Sequence, residues 1–226
     1  MFYNELKAIK ACEEDPSLIF DLIKEGHFEL VDKLLSKKIV SVNEVDNASN
    51  DVITRLLKAR QYDLVLKYMK NKNWNVNHQN YDGNTFGHYL AGINYVHVLE
   101  IIKQLKKNKD FSPNVKNKKG ETLLDKAINE NYIYTTLKIL EDKRFNNIDV
   151  ISFKKIFDTY IINTSYGKYS KLDNLKSIIS SLEKKDSLLP SLQELIDKIV
   201  KNMDIIKNEL MKNKYQSLEV MISEFV

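Results

Sequence analysis

Few side chains in this chain could do chemistry. Four histidines stand at His27, His78, His88 and His97, and the last three fall within 20 residues. That crowding invites a metal-site reading. Against it, His88 and His97 are nine apart across a helix break, with no His-x-x-x-His spacing and no nearby cysteine. The single cysteine, Cys12, excludes an intramolecular disulfide and a multi-cysteine zinc site. It has no Cys-His or Cys-Gly context, and Lys10 alone hardly activates a thiol, so Cys12 reads as a core residue. Glu13-Glu14-Asp15 groups carboxylates on sequence neighbours that face different ways, which suits a charged turn ahead of a helix N-terminus. There is no Gly-x-x-x-x-Gly-Lys, no Gly-x-Gly-x-x-Gly and no Gly-x-Ser-x-Gly. The expectation is a protein without catalytic residues, metal or cofactor.

Charge is the remaining candidate chemistry. The chain of 226 residues carries 35 basic and 31 acidic side chains, a net +4, too balanced to imply nucleic acid by itself. Arginine, whose fork reads bases and carboxylates, is confined to Arg55, Arg60 and Arg144. The abundance of Lys and Asn fits an AT-rich genome better than a binding code. The charges are nevertheless uneven. Residues 1–32 hold eight acids against three lysines, whereas 101–120 holds Lys103, Lys106, Lys107, Lys109, Lys116, Lys118 and Lys119 against Asp110. That basic run is either a solvated rim or a site for phosphates or an acidic protein surface.

The elements that must position these residues are helical. Only 6 Gly and 3 Pro are present, too few for the turns of an all-β sandwich. The length suffices for a core without disulfide or metal support. No apolar run reaches the roughly 18 residues of a membrane span. Lys7 and Lys10 interrupt the N-terminal stretch Met1 to Cys12, so no signal peptide is expected. The cytoplasm is the expected location.

A period runs through the helices. Breaks at Gly26, Arg60, Asn94 and Asn131 are spaced 34, 34 and 37 apart. Each lies between short apolar patterns of helical period. Leu18, Ile19, Leu22 and Ile23 precede the first break, and Leu30, Val31, Leu34 and Leu35 follow it. Val52, Ile53, Leu56 and Leu57 and then Leu64, Val65, Tyr68 and Met69 do the same around the second. Such helices are too short to stand alone and must be held by their neighbours. Between units the chain reads Val42-Asn43-Glu44-Val45-Asp46, Val76-Asn77-His78-Gln79-Asn80 and Pro113-Asn114-Val115-Lys116-Asn117. The turn formers Asp46, Asn80 and Asn117 keep the 34 and 37 spacing. Gly83-Asn84-Thr85 and Gly120-Glu121-Thr122 follow two of them, the Gly suited to positive φ and the Thr to capping.

This pattern resembles the ankyrin repeat, whose units read Asp-x-x-Gly-x-Thr-Pro-Leu-His-x-Ala-Ala, then Gly, Val-x-x-Leu-Leu and a Val-Asn finger. Asn80 to Ala91 is the best match and Asn117 to Ile128 the next. Residues 17–46 and 51–79 match more weakly, Ser17 and Asp51 replace the Thr, every unit lacks the Pro, and only His88 keeps the His. The resemblance covers roughly residues 15–150. It implies an all-α, ankyrin-type α-solenoid of stacked helix-turn-helix units with short finger loops, capped by C-terminal helices. The repeats would span 15–46, 47–80, 81–117 and 118–150, after a cap helix in 1–14. It gives His88 a structural hydrogen bond between adjacent hairpins.

Residues 151–183 read as a divergent fifth helical pair, with Phe153, Ile156, Phe157, Tyr160 and Ile161 on one side of the first helix and a loop at 163–168. Leu172, Leu175, Ile178, Ile179 and Leu182 mark the second. Residues 184–226 read as a cap, begun by Pro190 and carrying Leu192, Ile196, Ile199, Met203, Ile206 and Leu210, with a shorter helix ending at Phe225. The same heptad could serve as a dimer seam, but a cap uses the same pattern, and a monomer is expected.

By the same resemblance, the function is to bind another protein on the concave face. The implied contact residues are the hairpin tips Asn47, Ala48, Asn50, Tyr81, Asp82, Asn84, Lys118, Lys119 and Glu121. The inner-helix ends Lys58, Ala59, Gly92, Ile93, Asn129 and Glu130 join them. Tyr81 is the expected anchor unless it packs on the neighbouring finger. Trp74 is a second candidate anchor whose competing role is packing under its loop. The alternative function is a nucleic-acid or ribonucleoprotein-associated factor using Lys103, Lys106, Lys107 and Lys109. Parasites, viruses and intracellular bacteria use such scaffolds on host proteins, which would make host cytoplasm the location for a source of that kind.

Overall fold

The computed structural model describes residues 5–90, 93, 95–130, 132–140, 150–158, 168–183, 190–201 and 206. The expected breaks at Asn94 and Asn131, the contact residue Gly92, and most of the 163–168 loop lie outside them. So do Met203, Leu210 and the segment ending at Phe225. Among the described residues the regular elements are helices, with an isolated antiparallel bridge between Val45 and Asp51 and no strand. The fold class is all-α. The chain forms two compact units, Met1–Thr122 and Leu123–Val226.

In the first unit α1 spans Glu5–Glu14, and a 3-10 turn over Pro16–Leu18 leads into α2, Ile19–Glu25. α3 is Phe28–Ser36, α4 Val52–Lys58, α5 Tyr62–Tyr68, α6 Phe86–Leu90 and α7 Tyr95–Lys107. Asp15 starts the turn, its side chain accepting the Ser17 N–H at 3.0 Å. α2 and α4 stop in the same way, at a left-handed residue: Gly26 (φ 82) and Arg60 (φ 59). The following amide then donates back into the helix, His27 to Leu22 at 2.9 Å and Gln61 to Leu56 at 2.9 Å.

Seven-residue helices do not persist in water. α4 forms because Val52, Ile53, Thr54, Leu56 and Leu57 are all buried, each large apolar side chain contributing about 1.5–3 kcal/mol. It packs on α2, α5 and α6, and α5 packs on α7. A polar staple ties α3 to α5. The Asp32 carboxylate accepts Lys67 Nζ at 2.6 and 2.8 Å, and the Tyr68 hydroxyl reaches both that carboxylate and the Asp32 main-chain oxygen. Lys33 of α3 pairs with Glu5 of α1.

In the second unit α8 is Leu123–Asn129, α9 Ile133–Leu140, α10 Val150–Phe157, α11 Lys168–Glu183 and α12 Pro190–Lys201. α8 packs on α9 and α10, α9 on α11, and α10 on α12. Phe153, Ile156 and Phe157, with Leu175, Ile178, Ile179 and Leu182, fill its core. Ile196, Ile199 and Ile206 of the heptad pattern are buried within the chain. The division at Thr122 and Leu123 falls inside the 118–150 repeat expected from sequence. Residues 117–121 hydrogen-bond to the segment before them, whereas α8 packs on the helices after it.

Candidate functional site

Three hairpin turns in the first unit, at 46–50, 80–84 and 117–121, share one hydrogen-bonding scheme. The opening amides of Asp46, Asn80 and Asn117 donate to the closing carbonyls of Asn50, Asn84 and Glu121 at 3.0, 3.0 and 2.9 Å. Each opening side chain, through Oδ1, accepts two further amides: Ala48 and Asn50 on Asp46, Asp82 and Asn84 on Asn80, and Lys119 and Glu121 on Asn117, all at 2.8–3.0 Å. The fourth position is left-handed in every turn, at Ser49 (φ 61), Gly83 (φ 75) and Gly120 (φ 78). Short Asx side chains at 34 and 37 spacing thus fold the chain the same way three times.

The turns are joined edge to edge. The Tyr81 amide donates to the Ala48 carbonyl at 3.1 Å, and the Lys118 amide to the Asp82 carbonyl at 2.9 Å. Beneath, Asn80 Nδ2 donates to Asn50 Oδ1 at 3.0 Å and Asn117 Nδ2 to Asn84 Oδ1 at 2.9 Å. A second ladder clamps the finger loops. Asn43 donates to the Asn73 carbonyl at 2.6 Å and accepts the Asn75 amide at 2.8 Å. Asn77 does the same with Asp110 at 2.6 Å and Ser112 at 2.8 Å.

Side chains that could have served function hold this frame instead. His88 is buried, accepts the Thr85 amide on Nδ1 at 3.1 Å, and therefore carries its proton on Nε2, which donates to the Glu121 carbonyl at 2.8 Å. His78 Nε2 sits 2.8 Å from the Ser49 carbonyl and holds that left-handed turn. Trp74 is 5% exposed, packs edge-on against Phe86 and donates Nε1–H to Asp51 at 2.8 Å. It is unavailable as an anchor. Asp51 also caps α4 by accepting the Thr54 amide at 2.7 Å, and burial pushes its carboxyl up against those hydrogen bonds. Cys12 is buried, and desolvation raises its thiol further from reactivity.

Of the contact residues expected from sequence, Asn47, Ala48, Tyr81, Asp82, Lys118 and Lys119 are exposed on the joined tips, Tyr81 at 66%. Lys58 is exposed at the end of α4, and Ile93 is half-buried. Asn50 is a correction: it is 2% exposed, and both ends of its amide are engaged, by Asp46 and by Asn80. Asn84 and Glu121 are half-buried, with Asn84 Oδ1 taken by Asn117. Glu130 is exposed in the second unit and pairs with Lys126 at 3.3 Å.

Sequence reasoning missed Arg55 and Tyr89. With every other α4 residue except Lys58 buried, Arg55 and Lys58 form the open side of that helix. Tyr89 does the same for α6. Arg55 Nε lies 3.4 Å from Asp46 Oδ2, and Lys58 Nζ stands 4.7 Å from the centre of the Tyr89 ring. The Tyr89 hydroxyl meets Asn80 Nδ2 at 2.7 Å and Asn50 Oδ1 at 3.2 Å, and burial raises its pKa. These contacts join the open side of α4 and α6 to the hairpin tips as one strip. The signal was in the sequence, since Asp21, Arg55 and Tyr89 are each 34 apart.

The lysine run divides. Lys103 pairs with Glu100 at 3.6 Å, and Gln104 and Lys103 hold the Glu100 carboxyl below its usual range. Lys107 joins Lys70 and Lys72 around a groove of about 440 Å³, with Asn71, Asn108, Gln104, Met69 and Asp110 completing its wall. Lys109 is exposed and Lys106 half-buried. Among the described residues no three His, Cys, Asp or Glu side chains come together to hold a metal ion, and no helix is long and apolar enough to cross a membrane. No family model matches the chain, and no curated protein matches its sequence.

Proposed function

We propose that this chain is a divergent ankyrin-repeat protein, built as a short capped solenoid, and that it serves as a non-catalytic scaffold for another protein. One observation carries the reading: main-chain bonds join the hairpin tips, so the side chains of Asn47, Tyr81, Asp82, Lys118 and Lys119 are not needed to hold them together. Side chains freed of structural duty, on a backbone rigidified by its neighbours, are what a recognition surface requires. Tyr81 is the anchor, offering large contact area at small entropic loss. In this reading residues 151–226 supply a further helical pair and the cap, and the protein acts as a monomer in the cytoplasm.

The test is affinity capture with mass spectrometry using the wild type and a Tyr81→Ala, Lys118→Glu variant. Both replaced side chains point away from the core, so the variant should unfold at the wild-type denaturant midpoint while losing its captured partner. Unchanged capture would refute the face. A second reading, nucleic-acid association, draws on the groove that brings Lys70 and Lys72 to Lys107. Nuclease treatment before capture separates the two: only the second predicts that the partner disappears.

A further inference from the structure

Arg55 is held at one point and open elsewhere. Its Nε is shut off from solvent and makes no hydrogen bond, standing 3.4 Å from the Asp46 carboxylate. Among the described residues no hydrogen bond reaches the terminal nitrogens of the fork, although the side chain is only 29% exposed. Guanidinium forks in this setting ordinarily meet a planar anion with two parallel N–H bonds. Lys58, one turn along α4, has no acidic partner among the described residues and lies over the Tyr89 ring at 4.7 Å. Tyr81, next in sequence to the Asn80 that bonds Tyr89, presents an unburied ring at the adjoining tip.

Resting on the scaffold reading above, we infer that the strip formed by Arg55, Lys58, Tyr89 and Tyr81 takes a glutamate or aspartate side chain of the partner. The carboxylate seats between the Arg55 fork and the Lys58 ammonium, and an apolar neighbour of that acid covers a tyrosine ring. Charge decides for one carboxylate over a phosphate. The positive charges of Arg55 and Lys58 are matched by the carboxylates of Asp46 and Asp82, both of which act on the Tyr89 hydroxyl, so the strip carries no surplus positive charge. Each further negative charge is costly there, and a phosphate dianion brings two where a carboxylate brings one.

The probe is an acetylated, amidated peptide Ala-Leu-Glu-Ala-Leu, with matched peptides carrying Gln or phosphoserine in place of Glu. Each is titrated into isotope-labelled full-length protein and followed by NMR. The Glu peptide should saturably shift the Arg55 Nε–H resonance and the amides of Lys58, Tyr81 and Tyr89, and the Gln peptide should bind at least tenfold more weakly. Lys58→Gln, at an exposed side chain whose ammonium lies over the Tyr89 ring, and Arg55→Gln should each weaken the Glu peptide about tenfold. Lys58→Gln keeps the test valid where Arg55→Gln disturbs the first hairpin through Asp46. Equal binding of Glu and Gln peptides, stronger binding of phosphoserine, shifts centred on Lys70, Lys72 and Lys107, or no saturable shift would each overturn the inference. Capture sensitive to Tyr81→Ala alongside such a failure leaves the scaffold standing, and capture indifferent to it removes the scaffold as well.

Discussion

The left-handed position of the three turns offers a matched perturbation. Ser49, Gly83 and Gly120 occupy the same place at φ 61, 75 and 78, but in different surroundings. A Cβ on Gly83 would stand 2.8 Å from the Lys118 nitrogen and 3.1 Å from Asn117 Cα, both backbone of the next hairpin, whereas at Gly120 nothing lies within 4 Å. Gly120→Ala should therefore cost only the left-handed penalty, about 1 kcal/mol. Gly83→Ala adds the displaced neighbour and the Lys118-to-Asp82 bond, itself about 1 kcal/mol, for a total of about 3 kcal/mol. Ser49→Gly should stabilise by about 0.5 kcal/mol, relief of the left-handed cost less the extra chain entropy of glycine. The assay is urea unfolding followed by Trp74, the single tryptophan, which lies in the same unit. Equal losses for Gly83→Ala and Gly120→Ala would refute the reasoning, because they would mean that the second and third hairpins do not abut.

Further outcomes concern the buried polar groups. Hydrogen bonds from Lys67 and then Tyr68 hold the Asp32 carboxyl below its ordinary value. It therefore stabilises the fold above an unfolded pKa of about 3.9 and loses that contribution as pH falls through the depressed one. Asp32→Asn should flatten the acid limb of a stability profile below about pH 4, and an unchanged limb would contradict the staple. Asp51 has the opposite sign. Its folded pKa is raised by burial, so its contribution is full below the unfolded pKa and lost as pH rises through the folded one. Trp74 emission should track that titration above about pH 4 and lose it in Asp51→Asn. The same variant should destabilise by about 2 kcal/mol by turning an N–H toward the indole donor. His88→Ala strands the Thr85 amide and leaves the Glu121 carbonyl with the Asn117 amide alone, and should lower stability by about 2 kcal/mol in the same urea titration.

Much of the fold was legible because local chemistry wrote it. Asp46, Asn80 and Asn117 act on amides two and four residues ahead, so their spacing announces the turns. The paired apolar positions of α2, α3 and α4 are buried as their period requires. What escaped depends on contacts remote in sequence. Asn50 looked like a tip residue because nothing near it shows that Asn80 would claim its Oδ1. Trp74 has two readings until Asp51, 23 residues away, receives its N–H. Ser49 lacks the glycine that flagged the other turns, and the His78 contact that holds its carbonyl comes from 29 residues away. Arg55 passed unnoticed because its significance lies in what it does not touch.

The claim beneath all of this is that hairpins 34 and 37 residues apart bond edge to edge through their main chains. Scalar couplings across hydrogen bonds measure that directly. The account predicts cross-peaks from the Tyr81 amide to the Ala48 carbonyl carbon and from the Lys118 amide to that of Asp82, with both amides slow to exchange. Absence of both couplings, with the two amides exchanging at unfolded-chain rates, would contradict it.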